Sequence, residues 1–186
     1  VTPLLAIAAE LRKRAAHTVV SWVGTPNGPE RLVVESNRIA FYSLSSPKLN
    51  RYKKWLWPLL PFGLAVSVVR AFSLLRTLRP AMVFTAGSFV SVPVVLAAWV
   101  LRIPVGVHQL DVQPGVANKI MAYFAKRISV TFDETAVAFP SKKTLVVGGM
   151  FRHALRLGDK QTAVTRYGFD ATLPTVLVMG GGTGAV

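Results

Sequence analysis

The feature that most constrains this chain is a series of short apolar runs in which polar residues do not alternate with apolar ones. The runs include MVFTA, PVGV and TLVV. A strand with one face in water alternates apolar and polar residues, whereas a strand covered by helices on both faces is a continuous apolar run. Helix-length segments separate these runs. This order predicts βαβ units and hence an α/β fold, a Rossmann-like parallel sheet with helices on both faces.

Predicted elements of both kinds follow one another along most of the chain. Helices are predicted at residues 3–14, 29–35, 61–78, 90–101 and 115–127. Strands are predicted at residues 18–23, 39–43, 81–85, 104–108, 128–132 and 144–147. The first helix has the clearest signals, since Thr2 is a good N-cap, Pro3 suits the first helical position and the last turn is basic.

The composition changes after Arg152. The segment HALRLGDKQTAVTRYGFDATLP is polar and is typical of a linker with a short helix that ends near Gly168. A new apolar strand is predicted at 175–179, and the glycine-rich run GGGTGA follows it. We therefore expect a first domain over residues 1–154, a linker over 155–173, and the start of a second α/β domain over 174–186.

The chain is strongly basic. It has 22 lysines and arginines against 8 aspartates and glutamates, which gives a net charge of +14, and no carboxylate lies between Glu35 and Asp111. Such an excess indicates an anionic partner: a nucleic acid, an anionic lipid surface or a phosphorylated substrate. No helix-turn-helix, zinc or RNA-binding pattern accompanies the charge, which argues against nucleic acid.

Metal chemistry has little support in the sequence. The chain has no cysteine, so it forms no disulfide and no thiolate zinc site. No grouping of histidine, aspartate and glutamate has the spacing of a metal site. We therefore expect neither a bound metal nor a cofactor.

The segment from Arg51 to Pro80 combines a basic cluster, two tryptophans and a long apolar run. Its uncharged stretch, residues 55–69, is shorter than the roughly 20 apolar residues that a spanning helix needs. We therefore expect a helix that lies on an anionic membrane surface, because indole rings favour the headgroup zone and nearby bases bind anionic lipids. Packing in a protein core is the alternative. The expected membrane contacts are Lys53, Lys54, Trp55, Trp57, Phe62, Arg70 and Arg76.

Turns that follow the predicted strands form the candidate site, because ligands of an open parallel sheet bind at the carboxyl ends of its strands. In Gly87-Ser88-Phe89, backbone N–H groups and a helix N-terminus favour an anion such as a diphosphate. His108 and Asp111 share the next loop, where the imidazole is a candidate proton shuttle. The run 180–184 would cradle phosphate. An ordinary tight turn and a hydrogen-bonded structural histidine are the alternatives.

Several segments, in this order, resemble the undecaprenyl-diphospho-muramoylpentapeptide N-acetylglucosaminyltransferases, the MurG family of glycosyltransferase family 28. They are TPLLAIAAELRKR with HTVVSWVGT, AGSFVSVPVVLAAWVLRIPVGVHQLDVQPGVANKIMAYFAKRI, FP with VVGGMFR, and VLVMGGGTGA. The resemblance implies the N-terminal half of a GT-B glycosyltransferase. It also implies inverting transfer of N-acetylglucosamine from UDP-N-acetylglucosamine to the C4 hydroxyl of a muramoyl-pentapeptide on a polyprenyl diphosphate, at the cytoplasmic face of the cell membrane.

The resemblance assigns roles to individual positions. The residues that it implies for substrate binding are Gly87, Ser88, His108, Gln109, Asp111, Asn118, Arg152, Gly181 and Gly182. Asp111 stands where the family has the asparagine that contacts the sugar nucleotide. The family's first strand and a glycine-rich loop ending in histidine would come just before Val1, so we expect the first, acceptor-binding domain to lack both. His108 is then the candidate catalytic residue, and we expect this chain alone to have no transferase activity.

Two other functions share parts of the pattern. Another GT-B enzyme that acts on a membrane lipid, such as a diacylglycerol glycosyltransferase, would have the same architecture, basic surface and glycine-rich turns. A non-catalytic half of a split glycosyltransferase would instead recruit a catalytic subunit to the membrane. The start of a second domain at 174–186 argues against the second function, since a dedicated half would end before it.

Overall fold

Two compact units, Val1–Phe151 and Arg152–Val186, make up the chain. The structure is a computed structural model that describes residues 2–47, 60–151, 157–170 and 172–176. The predicted domain bounds of 1–154, 155–173 and 174–186 stay predictions, because 152–156 and 177–186 lie outside the described residues.

Helices and strands alternate along the first unit as predicted, with ends that differ from the predicted ones by a few residues. The helices are α1 Thr2–Arg14, α2 Glu30–Ser36, α3 Leu60–Leu78, α4 Ser91–Val100, α5 Val116–Phe124 and α6 Asp133–Ala136. The strands are β1 Ser21–Gly24, β2 Ala40–Ser43, β3 Val83–Thr85, β4 Val105–Gln109, β5 Arg127–Val130 and β6 Thr144–Val146. A 3-10 turn at Ser141–Lys143, which the sequence did not predict, precedes β6.

All described strand pairs are parallel, which confirms the predicted α/β class. The strands form two sheets rather than one, with the orders β1-β2 and β3-β4-β5-β6. In a doubly wound fold, all parallel strands belong to one open sheet. The single predicted sheet is therefore divided into two here, and the lack of the family's first strand stays a prediction.

Strand β4 is at the centre of the larger hydrophobic core, and all five of its residues are buried. The core joins the inward faces of α3, α4 and α5 to the sheet, and its fully buried members include Val95, Val107 and Met121. A smaller cluster holds α1 and α2 together through Leu5 and Val34. Side chains on both faces of β4 are therefore buried, as its unalternating sequence predicts.

Helix α3 buries only one narrow stripe. Ser67, Ala71 and Leu75, spaced four residues apart, are buried, whereas Phe62 and Val69 are 73% and 67% exposed. Among the described helices, α3 is the one that is long and apolar enough to cross a membrane, by length and composition alone. Its outward face is apolar and is not covered by the rest of the described chain.

Arginines follow three of the helices in a left-handed backbone conformation. Arg38, Arg79 and Arg102, which follow α2, α3 and α4, have φ values of 55°, 45° and 57°. After α4, the N–H of Ile103 donates to the carbonyl of Ala98 at 2.8 Å, the bond that closes a Schellman motif. These turns reverse the chain into the next strand without the glycine that usually follows a helix.

The second unit contains one described helix, α7, at Lys160–Tyr167. The Asp159 carboxylate caps it by accepting from the Thr162 N–H at 2.6 Å, and Gly168 ends it in a left-handed conformation. The predicted short helix that ends near Gly168 is therefore confirmed. Thr175 and Val176 belong to no strand, and the rest of the predicted strand lies outside the described residues.

Candidate functional site

Two turns meet at one edge of the four-stranded sheet. Strands β3 and β4 are parallel neighbours, with Thr85 paired to Val107, so the turns that follow them leave the same edge. The first turn contains Gly87 and leads into α4, and the second contains Asp111 and leads into α5. The structure thus brings together the two candidate loops that the sequence places far apart.

Gly87 has a φ of 92°, a backbone conformation that favours glycine. Its N–H donates to the Thr85 hydroxyl at 3.1 Å, and that hydroxyl donates to Ser91 at 2.8 Å. The Gly87 N–H is therefore used within the turn, and anion binding by the other N–H groups of the turn stays a prediction. No described residue accepts from the backbone N–H of Ser88 or Phe89, so these are the groups that the turn offers to a ligand.

The side chain of Gln109 stabilises the second turn through hydrogen bonds to its backbone. The side chain is buried, and its Nε2 donates to the backbone carbonyls of Asp111 at 2.8 Å and Gln113 at 3.3 Å. Because carbonyls only accept, the amide nitrogen of Gln109 must face them, and its Oε1 must face the other way. Asn118 then donates from Nδ2 to that Oε1.

This chain of hydrogen bonds fixes which way the Asn118 amide points. Its Nδ2 faces Gln109, so its Oδ1 faces Gly87, and a Cβ built on Gly87 would lie 2.6 Å from that oxygen. Asn118 is only 7% exposed, and Oδ1 has no hydrogen-bond partner among the described residues. A buried acceptor without a partner costs about 1–3 kcal/mol. The site therefore holds an oriented acceptor beneath the Gly87 turn.

His108 lies in the middle of the sheet with no exposed surface. Its Nδ1 is 2.9 Å from the Ser129 Oγ, and its Nε2 is 3.4 Å from the Thr131 Oγ1. Burial lowers the pKa of the imidazole below its ordinary value, and a hydrogen bond to Ser129 partly opposes that shift. The ring is therefore neutral near pH 7, and its catalytic role remains a prediction.

Asp111 is exposed at the tip of the second turn. The turn is anchored on its far side as well, because the Thr135 hydroxyl of α6 donates to the Val112 carbonyl at 3.0 Å. The Asp111 carboxylate is thus presented to solvent by a loop whose backbone is held from two sides.

The remaining predicted positions divide into two groups. Phe62, Arg70 and Arg76 are exposed on α3. Positions outside the described residues are Lys53, Lys54, Trp55, Trp57, Arg152, Gly181 and Gly182.

Sequence reasoning missed four hydroxyl residues that hold the site together. They are Thr85, Ser129, Thr131 and Thr135. The signal was available for Thr85, Ser129 and Thr131, because each lies within or directly after a buried apolar segment, where a hydroxyl needs a hydrogen-bond partner. Thr135 follows two acidic residues and has no such signal.

The fold is that of a Rossmann-like domain, and its candidate site consists of turns at the carboxyl ends of parallel strands, where open parallel sheets bind ligands. Residues 1–130 match the model of the glycosyltransferase family 28 N-terminal domain. The chain belongs to glycosyltransferase family 28.

Curated relatives resemble the chain along its whole length. The UDP-N-acetylglucosamine–N-acetylmuramyl-(pentapeptide) pyrophosphoryl-undecaprenol N-acetylglucosamine transferase of Shouchella clausii is 40% identical over 185 residues. The enzyme of that name numbered 2 from Bacillus anthracis is 38% identical over 185 residues. Each alignment covers 100% of this chain and 52% of the relative, so the chain spans about half the length of the curated relatives it matches.

Solved structures give the same picture of the fold. The crystal structure of Acinetobacter baumannii MurG superposes with a TM-score of 0.67 and 28% identity, and covers 82% of this chain and 42% of that one. The UDP-GlcNAc 2-epimerase of Neisseria meningitidis, solved with UDP-GlcNAc, has a TM-score of 0.59 at 18% identity, and covers 88% of this chain and 48% of that one. The second likeness shows the fold alone. Together with the family match, these structures confirm the predicted fold class and the resemblance.

Proposed function

We propose that this chain is the acceptor-binding half of an enzyme that transfers N-acetylglucosamine from UDP-N-acetylglucosamine to a muramoyl-pentapeptide on a polyprenyl diphosphate. The observation that carries the proposal is the whole-chain identity of 38–40% to transferases named for this reaction. The meeting of the Gly87 and Asp111 turns at one sheet edge supports it, since this is where an open parallel sheet binds ligands.

The reaction needs a base, an anionic leaving group and an aligned acceptor. The acceptor C4 hydroxyl loses its proton to a base and attacks the anomeric carbon, the bond from that carbon to the UDP oxygen breaks, and the configuration inverts. The acceptor diphosphate would bind the N–H groups of Ser88 and Phe89 at the start of α4. Asp111 and Asn118 would accept from hydroxyl or amide groups of the sugars. Arg152, Gly181 and Gly182 would bind the donor nucleotide.

The second part of the proposal is that the chain works at the cytoplasmic surface of the cell membrane as a peripheral protein. The outward face of α3 supports this, because Phe62, Val66 and Val69 are exposed together with Arg70 and Arg76. Apolar side chains between bases suit the boundary between anionic headgroups and acyl chains. The two arginines inside the apolar stretch argue against a span, since each costs about 2.5–3.5 kcal/mol at the centre of a bilayer.

Sugar transfer by the full-length protein tests the function. The assay supplies labelled UDP-N-acetylglucosamine with either the muramoyl-pentapeptide polyprenyl diphosphate or diacylglycerol. We expect labelled product with the first acceptor and none with the second. Transfer to diacylglycerol alone would contradict the proposal and support a different lipid glycosyltransferase, and no transfer to either would support a non-catalytic membrane-recruiting half. The 186-residue chain serves as the control and should transfer no sugar.

A further inference from the structure

A buried imidazole between two hydroxyls lies directly beneath the Asp111 turn. We propose that Ser129 and Thr131 are positioning residues that hold His108 as a neutral, fixed ring, and that the three residues together set the geometry of the turn after β4. Only the expected effect of these residues on enzyme kinetics rests on the proposed function.

Strand register brings the three side chains together. His108 on β4 is paired with Ser129 on β5, and the neighbouring pair is Gln109 with Val130. Side chains two residues apart on a strand point to the same face, so Ser129 and Thr131 both lie on the face of β5 that His108 occupies on β4. The hydrogen bonds to Nδ1 and Nε2 follow directly from this register.

The surroundings of the ring suit the neutral form. A neutral imidazole has one N–H donor and one acceptor nitrogen, and each hydroxyl can donate or accept, so the two hydroxyls satisfy both nitrogens. The groups that reach the ring nitrogens come from β5 and carry no charge, and no described carboxylate or base contacts the ring. A charged ring would be fully buried without a counter-charge, which is costly.

Thr131 connects the ring to the turn. Its backbone N–H and its hydroxyl both donate to the Gln109 carbonyl, at 3.1 and 3.3 Å. The Gln109 amide in turn holds the carbonyls of Asp111 and Gln113. A shift of the His108 ring would therefore move Thr131, the Gln109 backbone and the loop that presents Asp111. This chain of contacts makes His108 a positioning residue, since its ring has no exposed surface from which to pass a proton.

Nitrogen-15 NMR of the imidazole in the 186-residue chain tests the first half of the proposal. We expect His108 to remain neutral in a single tautomer at pH 6, where an ordinary histidine, with a pKa near 6.5, is mostly protonated. Ser129→Ala should shift the Nδ1 resonance and Thr131→Val the Nε2 resonance, while the exposed control Ser73→Ala shifts neither. Ordinary titration near pH 6.5, with ring resonances that neither variant changes, would overturn the proposal.

Kinetics of the full-length protein test the second half. Ser129→Ala and Thr131→Val should raise KM for UDP-N-acetylglucosamine severalfold, with a smaller change in kcat and no shift of the pH–rate profile. A fall in kcat at unchanged KM, or loss of a limb of the pH–rate profile, would overturn the positioning role and support a proton shuttle. A full-length protein without transferase activity would contradict the proposed function, whereas the NMR result would still decide the state of His108.

Discussion

At the residue scale, Gly87 is a position where a side chain is disfavoured both by the lack of space and by the backbone conformation. Its φ of 92° is unfavourable for other residues, and a Cβ would meet the Asn118 Oδ1 at 2.6 Å. We expect Gly87→Ala to lower the free energy of unfolding by about 2–4 kcal/mol, the sum of backbone strain and overpacking. Urea denaturation of the 186-residue chain measures the change.

Two other glycines separate these contributions. Gly148 has a φ of 73° but no atom within 4 Å of a built Cβ, and Gly115 has neither a positive φ nor a neighbour. Gly148→Ala should therefore cost about 1–2 kcal/mol, which is the strain alone. Gly115→Ala should lower the free energy of unfolding by less than Gly87→Ala or Gly148→Ala does. Equal losses for Gly87→Ala and Gly148→Ala would show that Asn118 does not contact the turn in this way.

His108 should make stability depend on pH. Burial lowers its pKa in the folded protein, so below pH 6.5 the unfolded chain binds more protons than the folded one. We expect the free energy of unfolding to be constant above about pH 6.5 and to fall as the pH drops from there towards the folded-state pKa. Urea titrations between pH 7.5 and 5.5 measure this slope. It should flatten in His108→Asn and persist in the exposed control His17→Asn.

The sequence predicted which residues gather at the site better than it predicted how they interact. Gly87, Gln109 and Asn118 were identified from turn position and resemblance, and the structure brings all three into one network. The orientation of the Asn118 amide could not be predicted from the sequence. It depends on two backbone carbonyls that only the folded loop directs at Gln109. A hydrogen-bonded structural His108 was among the predicted alternatives, but its partners Ser129 and Thr131 were not predicted, because they depend on the pairing of β4 with β5.

At the element scale, helix α5 is stabilised by a lysine that lies beyond the next strand. The Lys143 ammonium donates to the last carbonyls of α5, including that of Ala125 at 3.2 Å. A cation at this end of a helix stabilises it through both hydrogen bonds and the helix dipole. We expect Lys143→Met to lower the free energy of unfolding by about 1–2 kcal/mol.

The neighbouring lysine gives a matched control for that prediction. Lys142 is exposed and has no hydrogen bond to α5. Lys142→Met should change stability by less than about 0.5 kcal/mol, as for an ordinary surface position. Equal effects of the two substitutions in urea denaturation would refute the capping role of Lys143.

Helices and strands were predictable from local patterns, whereas the pairing of strands was not. The proline at position 61 and the uninterrupted apolar run in β4 each specify an element within a few residues. The division of the strands into β1-β2 and β3-β4-β5-β6 has no local signal in the sequence. Sheet order is set by contacts between distant segments, which periodicity does not encode.

At the scale of the whole molecule, charge and apolar surface coincide on α3. Arg70 and Arg76 accompany the exposed Phe62 on this helix. Each base near an anionic surface contributes about 1 kcal/mol of binding, so replacing both arginines by glutamine should weaken vesicle binding by roughly 2 kcal/mol, about thirtyfold. Cosedimentation with vesicles containing anionic lipid measures the loss.

The same experiment tests how the chain binds. The control Arg166→Gln, on α7 of the second unit, should leave vesicle binding unchanged. Peripheral binding predicts release of the wild-type chain by high salt or alkaline carbonate. Retention of the chain after both treatments would indicate that α3 inserts across the bilayer. Equal affinity for duplex DNA at the same salt concentration would instead point to a nucleic-acid partner.

The most direct measurement of the proposed site is hydrogen–deuterium exchange of the full-length protein with UDP-N-acetylglucosamine and a short-chain polyprenyl-diphosphate acceptor. We predict that ligand binding slows exchange in residues 87–90 and 109–118, the two turns at the carboxyl edge of the four-stranded sheet. Protection confined to the opposite edge, around residues 102–104 and 126–127, would contradict the proposed site. Unchanged exchange in both turns at saturating ligand would also contradict the proposed site.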